Sequence, residues 1–518
     1  MRLGRKDGIL PVRAANILIL VVVTAAATVF YPQFLLNHDA SWYLIATDMF
    51  LDGARLYTDI LEINPPLAFY LTVPPVAVAR IFSADPTTVY FFYLIAIACA
   101  SAVWVLAILE MSELSDRERR FLFPGILTAL FILPLAEFGQ REHLMLIFSM
   151  PFVLSQAFRH RLPQLDVPHQ IALGAAASLG FLLKPYFFLI PAAIGLMRLW
   201  QDRNLRVFCD PAFLAIACAT ILYLCFIALI HPEYYAFIVP IATEVYASFG
   251  MNARIVVLRA ELAALILVAL VARRSGRSDD TEMQLLAATT IAAALVYLVQ
   301  FKGWNYQILP LSAFLIISVV WLYVRNSETI RKDAVLTVCL SLALGMTLGL
   351  QLARGPYQSA TAASFGQFVK REKQNILVLS TNVSASFPFV NKVSGNWASR
   401  YPAQWFIPGA HDILALQDCT IAKSACEKSE AILVYARTSI IEDIVQFQPE
   451  LIFVDERTDK AYFRDQNFDY FDFLSHDPRF ESLQACYRRV GVTLGYGVFE
   501  KACRYSKATV MRPWTEKM

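Results

Sequence analysis

Eleven long apolar runs separated by polar loops constrain this chain more than any other feature. They are Ala14–Leu35, Thr87–Leu109, Phe121–Ala136, Leu144–Phe158, Ile171–Leu183, Tyr186–Trp200, Ala212–Ile230, Ile255–Ala272, Leu285–Val299, Ile308–Val324 and Ala334–Leu352. A hydrocarbon layer of about 30 Å takes about 20 such residues as a helix, whereas a membrane barrel would show alternating residues instead of continuous runs. Only 17% of residues are charged, and 57% are hydrophobic. That balance excludes disorder, a coiled coil and an ordinary soluble multidomain enzyme. A net charge of +3, carried by scattered residues, gives no footprint for nucleic acid.

The loops fix the expected orientation. With the N-terminus inside, where Arg2, Arg5, Lys6 and Arg13 lie, alternate loops hold Arg117/Arg119/Arg120, Arg159/Arg161, Arg198/Arg203/Arg206, Arg273/Arg274/Arg277 and Arg325/Arg331/Lys332. The opposite loops hold scattered cations only: Arg55, Arg80, Arg141, Lys184, Arg254 and Lys302. This is the positive-inside pattern. It survives only if the further apolar stretch Leu67–Phe82, which Pro74–Pro75 splits, lies along the surface instead of crossing. The expectation is therefore a polytopic α-helical membrane protein of about 11 spans, in the bacterial inner membrane. Its N-terminus is cytoplasmic and its C-terminal domain periplasmic. The first run continues past the small residues Ala25–Ala27, which favours an uncleaved anchor over a signal peptide.

After Leu352 short apolar runs alternate with polar turns. Ile376–Ser380, Ala431–Tyr435, Leu451–Asp455 and Val490–Phe499 read as strands among helices, an extracytoplasmic α/β domain. The expected organisation is a membrane catalytic domain over 1–352, with a first outer loop at 36–86 carrying juxtamembrane helices, and a periplasmic domain over 353–518. Cys419, Cys426, Cys486 and Cys503 fall in that domain, where an oxidising compartment favours disulfides. The local pairing Cys419–Cys426 and Cys486–Cys503 is one of three, and free buried thiols are the alternative. No cysteine spacing points to zinc.

The polar residues that need explaining fall at the outer ends of the runs. Asn37-His-Asp-Ala-Ser-Trp-Tyr43 opens the first outer loop, with Asp39 just beyond the first run and a helical stretch, Ala40–Leu51, behind it. A carboxylate there can take a proton from a hydroxyl or hold a metal ion; it can equally be a helix cap. The short loop Glu137-Phe-Gly-Gln-Arg-Glu-His143 packs ionisable groups close to hydrocarbon, which is costly unless they pair or line a wet cavity. An Arg141–Glu142 pair and a neutral, hydrogen-bonding His143 are the structural alternatives there. Lys184-Pro185 breaks one run and Phe301-Lys-Gly-Trp-Asn-Tyr-Gln307 ends another. Lys184 and Lys302 could simply snorkel, and Trp304 and Tyr306 could form an aromatic belt. Together the two acids and the cations have the composition needed for transfer from a phosphorylated donor.

The first-loop motif, with Tyr57-Thr-Asp59 and Glu62-Ile-Asn-Pro-Pro-Leu67, resembles the GT-C membrane glycosyltransferases. The similar branch is the family 39-like one of protein O-mannosyltransferases and lipid A aminoarabinose transferases. The resemblance extends through the membrane part to the terminal soluble domain. It implies a polyprenyl-phosphate-linked sugar donor, an inverting single displacement and a surface helix in the first loop. By position, Asp39 resembles the first-loop catalytic acid, Glu142 the second-loop acid, and Lys184 and Lys302 cations that meet donor phosphate. Ala40 stands where the family often has a second acid, and Asn64 where the aminoarabinose transferases have a lysine.

The reading is thus a glycosyltransferase acting at the outer face of the membrane on an envelope glycan, lipid or protein hydroxyl. Asp39 and Glu142 are the catalytic pair. His38, Tyr43, Arg141, His143, Lys184, Lys302, Trp304 and Tyr306 are the substrate-binding candidates. No residue set is assigned to a metal, and a divalent cation stays open. Trp397, Tyr401 and Trp405 are sugar-stacking surfaces or, preferably, core. The alternatives are a transporter or flippase of lipid-linked sugars, which would place charges near the bilayer midplane, and a scaffold or sensor built around the outer domain.

Overall fold

The structure is a computed structural model and describes residues 10–464 and 467–503. Arg2, Arg5, Lys6 and the terminal Met518 lie outside the described residues. The chain forms two compact units that interleave along the sequence. One holds the segment ending at Phe34 with Val78–Cys225 and Met251–Tyr357; the other holds Leu35–Ala77, Phe226–Gly250 and the chain from Gln358 onward. The segment Leu35–Ala77, expected as a loop of the membrane domain, thus packs with the C-terminal domain.

Up to residue 230 the chain is helical: α1 (Val12–Phe30), α2 (His38–Leu51), α3 (Leu67–Phe82), α4 (Pro86–Met111), α5 (Asp116–Leu127), α6 (Arg141–Ala157), α7 (Val167–Phe181), α8 (Leu189–Asp202) and α9 (Pro211–Ile230). Local chemistry sets many starts. Asp85 caps α4 by accepting from the Thr88 N–H, with Pro86 in the first turn, where its missing donor costs nothing. Ser115 and Glu118 close a reciprocal capping box on α5. Each of the eleven apolar runs holds a helix. Among the described residues, 6 helices are long and apolar enough to cross a membrane: Val12–Gln33, α4, α9, Thr281–Gln300, Asn305–Lys332 and Ala334–Arg354. The helices in the other five runs are shorter, α5 having 12 residues before it passes into a π-helical turn at Thr128–Ile132, and α6 having 17.

Three local expectations need correction. Pro74 and Pro75 do not split their segment; α3 runs unbroken through both. The two prolines take two N–H donors from the helix ladder, and the apolar residues around them keep the rest of it. Asp39 is not a helix cap: the N-cap of α2 is Asn37, whose side chain accepts from the Ala40 N–H at 2.9 Å. Ala431–Tyr435 is not a strand but part of the helix Lys423–Phe447. Cys426, Ser429, Ile432, Leu433, Ala436 and Ile440 are among its buried residues at three- and four-residue spacing, so the five-residue window was too short to show the period.

The C-terminal domain is built on a five-stranded sheet of order β2-β1-β3-β5-β4. Its strands are β1 (Asn375–Leu379), β2 (Asn396–Trp397), β3 (Leu451–Asp455), β4 (Tyr487–Thr493) and β5 (Tyr496–Lys501). The first three are parallel, while β5 runs antiparallel to β3 and pairs with β4 as a hairpin. The expected strand Val490–Phe499 is therefore two strands around a turn at Leu494-Gly495, both with positive φ. Cys419–Cys426 and Cys486–Cys503 are disulfides, the local pairing. Trp397, Tyr401 and Trp405 are at most 5% exposed and belong to the core.

Candidate functional site

The bundle unit gathers ionisable groups at one set of helix ends. Glu142 lies in the first turn of α6, where the positive helix end favours an acid. It is 0% exposed, and its Oε1 accepts from Lys184 Nζ at 2.6 Å. Lys184 reaches it from the break between α7 and α8, where Pro185 opens a new turn. Glu142 therefore has Lys184 as an ion-pair partner, across 42 residues of chain. Its second oxygen, Oε2, is buried with no hydrogen-bond partner among the described residues.

Aromatic rings line the cations. Lys184 Nζ stands 4.9 Å from the Tyr306 ring centroid, and Lys302 Nζ stands 4.9 Å from that of Trp304. The two rings are 5.7 Å apart, so both lysines meet one aromatic wall. Lys302 belongs to the turn between Gln300 and Asn305, outside the spans. Burial, then the charges of Lys184 and Arg141, press its ammonium from the ordinary 10.5 down to about 6. Arg141, Lys184 and Lys302 are each buried, and Lys302 feels the charge of the other two. A negative charge placed beside these groups would favour the charged form of Lys302, against the burial and the two neighbouring cations that depress it.

His143 hydrogen-bonds to backbone, as the alternative reading of it had it. Its Nδ1 accepts from the Gly139 N–H at 3.1 Å, and its Nε2 lies 2.8 Å from the Leu130 carbonyl, which can only accept. Both ring nitrogens are thus committed to backbone, and the residue is 0% exposed. It shapes the turn that presents Arg141 and Glu142.

The other sequence candidates belong to the second compact unit. Asp39 stands in the first turn of α2, partly exposed, with His38 Nε2 at 3.5 Å from its Oδ1. Tyr43 packs edge-on to Phe69 at 5.0 Å and is 5% exposed. Sequence reasoning assigned no role to Glu62, yet it is a buried carboxylate that accepts from the Trp42 indole at 2.8 Å. It also missed Gln140 and Gln307, each 1% exposed and each with a buried amide atom lacking a partner among the described residues. The signal was available: amides beside hydrocarbon are costly, and both flank residues already singled out.

Among the described residues no group of three or more His, Cys, Asp or Glu side chains is arranged to hold a metal. Glu142 is one carboxylate, held by Lys184.

No protein-family model matches the chain, and no curated protein matches it. Two solved structures do resemble it: ArnT from Cupriavidus metallidurans bound to undecaprenyl phosphate, and the same protein in the apo state. In each case the TM-score is 0.48 and the identity 12%, over 94% of this chain and 97% of the other. A likeness of that degree assigns neither a substrate nor a residue's role.

Proposed function

We propose that the protein is a membrane glycosyltransferase that takes a sugar from a polyprenyl-phosphate-linked donor and passes it to an acceptor hydroxyl. The acceptor is an envelope glycan, lipid or protein at the outer face of the inner membrane. The observation that carries this reading is the buried group of Arg141, Lys184 and Lys302, with Glu142 paired to Lys184 and with Trp304 and Tyr306 against the two lysines. It lies at helix ends of an apolar bundle, where a lipid tail can stay in hydrocarbon while its phosphate meets the cations.

The chemistry follows from charge. As the acceptor oxygen bonds to the anomeric carbon, the bond from that carbon to the phosphate oxygen breaks. The phosphodiester, with one negative charge, becomes a phosphomonoester that can carry two. Cations already desolvated around the leaving oxygen stabilise the charge that develops there, where it counts most. The acceptor proton goes to a carboxylate, for which Asp39 is our choice of general base. Attack opposite the leaving group inverts the anomeric configuration. Glu142 holds Lys184 in place through Oε1, and its Oε2 can accept from an acceptor hydroxyl. His38 and Tyr43 would flank the base, and Trp304 and Tyr306 offer faces to a sugar ring.

The depressed Lys302 supplies a test. In the free protein its ammonium is mostly neutral above pH 6. A bound phosphate favours the charged form and raises that pKa, so binding near pH 7.5 takes up a proton. Affinity for polyprenyl phosphate therefore falls as pH rises above about 6, by at most about tenfold per unit, until the raised pKa is passed. Calorimetry of undecaprenyl phosphate binding in two buffers of different ionisation enthalpy measures the uptake. Uptake in the wild type that disappears in Lys302→Met supports the reading. Equal uptake in both removes Lys302 from the phosphate site.

A further inference from the structure

The first turn of α2 is fixed from several sides within its own unit. Trp42 stands three residues after Asp39, so the two side chains share a face of the helix. The Trp42 indole donates to Glu62 Oε2 at 2.8 Å, and its ring lies 5.4 Å from that of Phe387. One residue earlier, the Ser41 carbonyl accepts from Asn391 Nδ2 at 2.9 Å. Glu62 is 4% exposed, and its Oε1 accepts from the Asn64 N–H at 3.0 Å and also from Asn64 Nδ2. Its loop is tied down in turn. The Leu61 N–H donates to the Arg400 carbonyl at 2.8 Å, and the Trp405 indole donates to the Leu61 carbonyl at 3.4 Å.

A buried carboxylate is costly unless hydrogen-bonded, and here both oxygens accept from neutral N–H donors. An amide could not replace it. In Glu62→Gln the side-chain NH2 would face either the indole or Asn64, donor against donor. The arrangement therefore requires a carboxylate, and its reach ends on a side chain that shares a helix face with Asp39.

We propose that Glu62 is a positioning residue for Asp39, setting the direction of the first turn of α2 through the Trp42 indole. The C-terminal domain, through Phe387, Asn391 and Arg400, is the frame that holds this lever. The domain then serves catalysis directly. The inference rests on the reading of Asp39 as base.

The test uses full-length protein in nanodiscs, with a panel of polyprenyl-phosphate-linked hexoses and pentoses as donors. Trp42→Phe deletes the indole hydrogen bond and keeps an aromatic ring against Phe387, while Glu62→Gln sets a donor against a donor on one side of the same carboxylate. Each should lower kcat about ten- to hundredfold with donor KM nearly unchanged, because misplacing a group by about 1 Å costs that much. The double variant should be no worse than the worse single, since the two residues act as one unit. Hydrogen exchange of the α2 amides should rise in both singles, a readout that needs no activity. Unchanged exchange overturns the link from Glu62 to α2. Raised exchange with unchanged kcat overturns the positioning role and leaves a structural anchor. Asp39→Asn in the same preparation separates the two levels. If it retains transfer, the reading of Asp39 fails and this inference with it. If it abolishes transfer while Glu62→Gln and Trp42→Phe leave kcat unchanged, only the positioning role fails.

Discussion

Asp39→Asn is expected to lower sugar transfer at least about a hundredfold while leaving the protein folded and its binding of polyprenyl phosphate intact. A positioned base contributes about a hundred- to ten-thousandfold, and an amide cannot take the acceptor proton. The fold should tolerate the change because the cap of α2 is Asn37, not Asp39. What is lost structurally is one acid in a helix first turn, an effect of about 0.3–1 kcal/mol. Binding should persist because the phosphate cluster belongs to other residues. Transfer and lipid binding measured on one preparation give the split. Near-wild-type transfer in the variant would remove Asp39 from catalysis and leave Glu142 as the remaining acid.

Lys184→Met should give the largest loss of stability. It strands Glu142, 0% exposed, without its 2.6 Å partner. Removing one member of a buried pair typically costs about 3–5 kcal/mol, because the remaining charge is left uncompensated. Adding Glu142→Gln to the same protein removes that charge and should restore most of the lost thermal stability in detergent. Binding of polyprenyl phosphate should not return, since the cation itself is gone. If the double variant is no more stable than Lys184→Met, the two residues are not coupled. If it binds the lipid like the wild type, Lys184 is no part of the phosphate site.

Much of the architecture was legible because the bilayer leaves few choices. A run such as Thr87–Leu109 cannot satisfy its backbone in lipid except as a helix, and it is one, Pro86–Met111. Cys486 and Cys503, whose local pairing the sequence left as one of three, are bonded to each other. The errors came where context overrides a local rule. Pro74-Pro75 reads as a break, but the helix around it persists. Ala431–Tyr435 reads as a strand until its burial is seen at helical spacing. At the candidate site the residue types were visible and their partners were not. Lys184 and Glu142 are 42 residues apart, and no spacing rule joins them. His143 stood among the substrate candidates with a hydrogen-bonding role beside it, and its two backbone partners, at Gly139 and Leu130, carry no side-chain signature. Glu62 stood in a quoted motif, but its contact with Trp42 depends on how the loop folds back.

The most direct measurement follows the fate of the bond between sugar and phosphate. Protein in nanodiscs is incubated with the panel of polyprenyl-phosphate-linked sugars and an envelope extract as acceptor, and the products are separated and their anomeric configuration determined. The account predicts that one donor is consumed, polyprenyl phosphate is released, and the sugar appears on an acceptor hydroxyl with inverted configuration. A full panel of donors recovered intact, or a product of retained configuration, would contradict it.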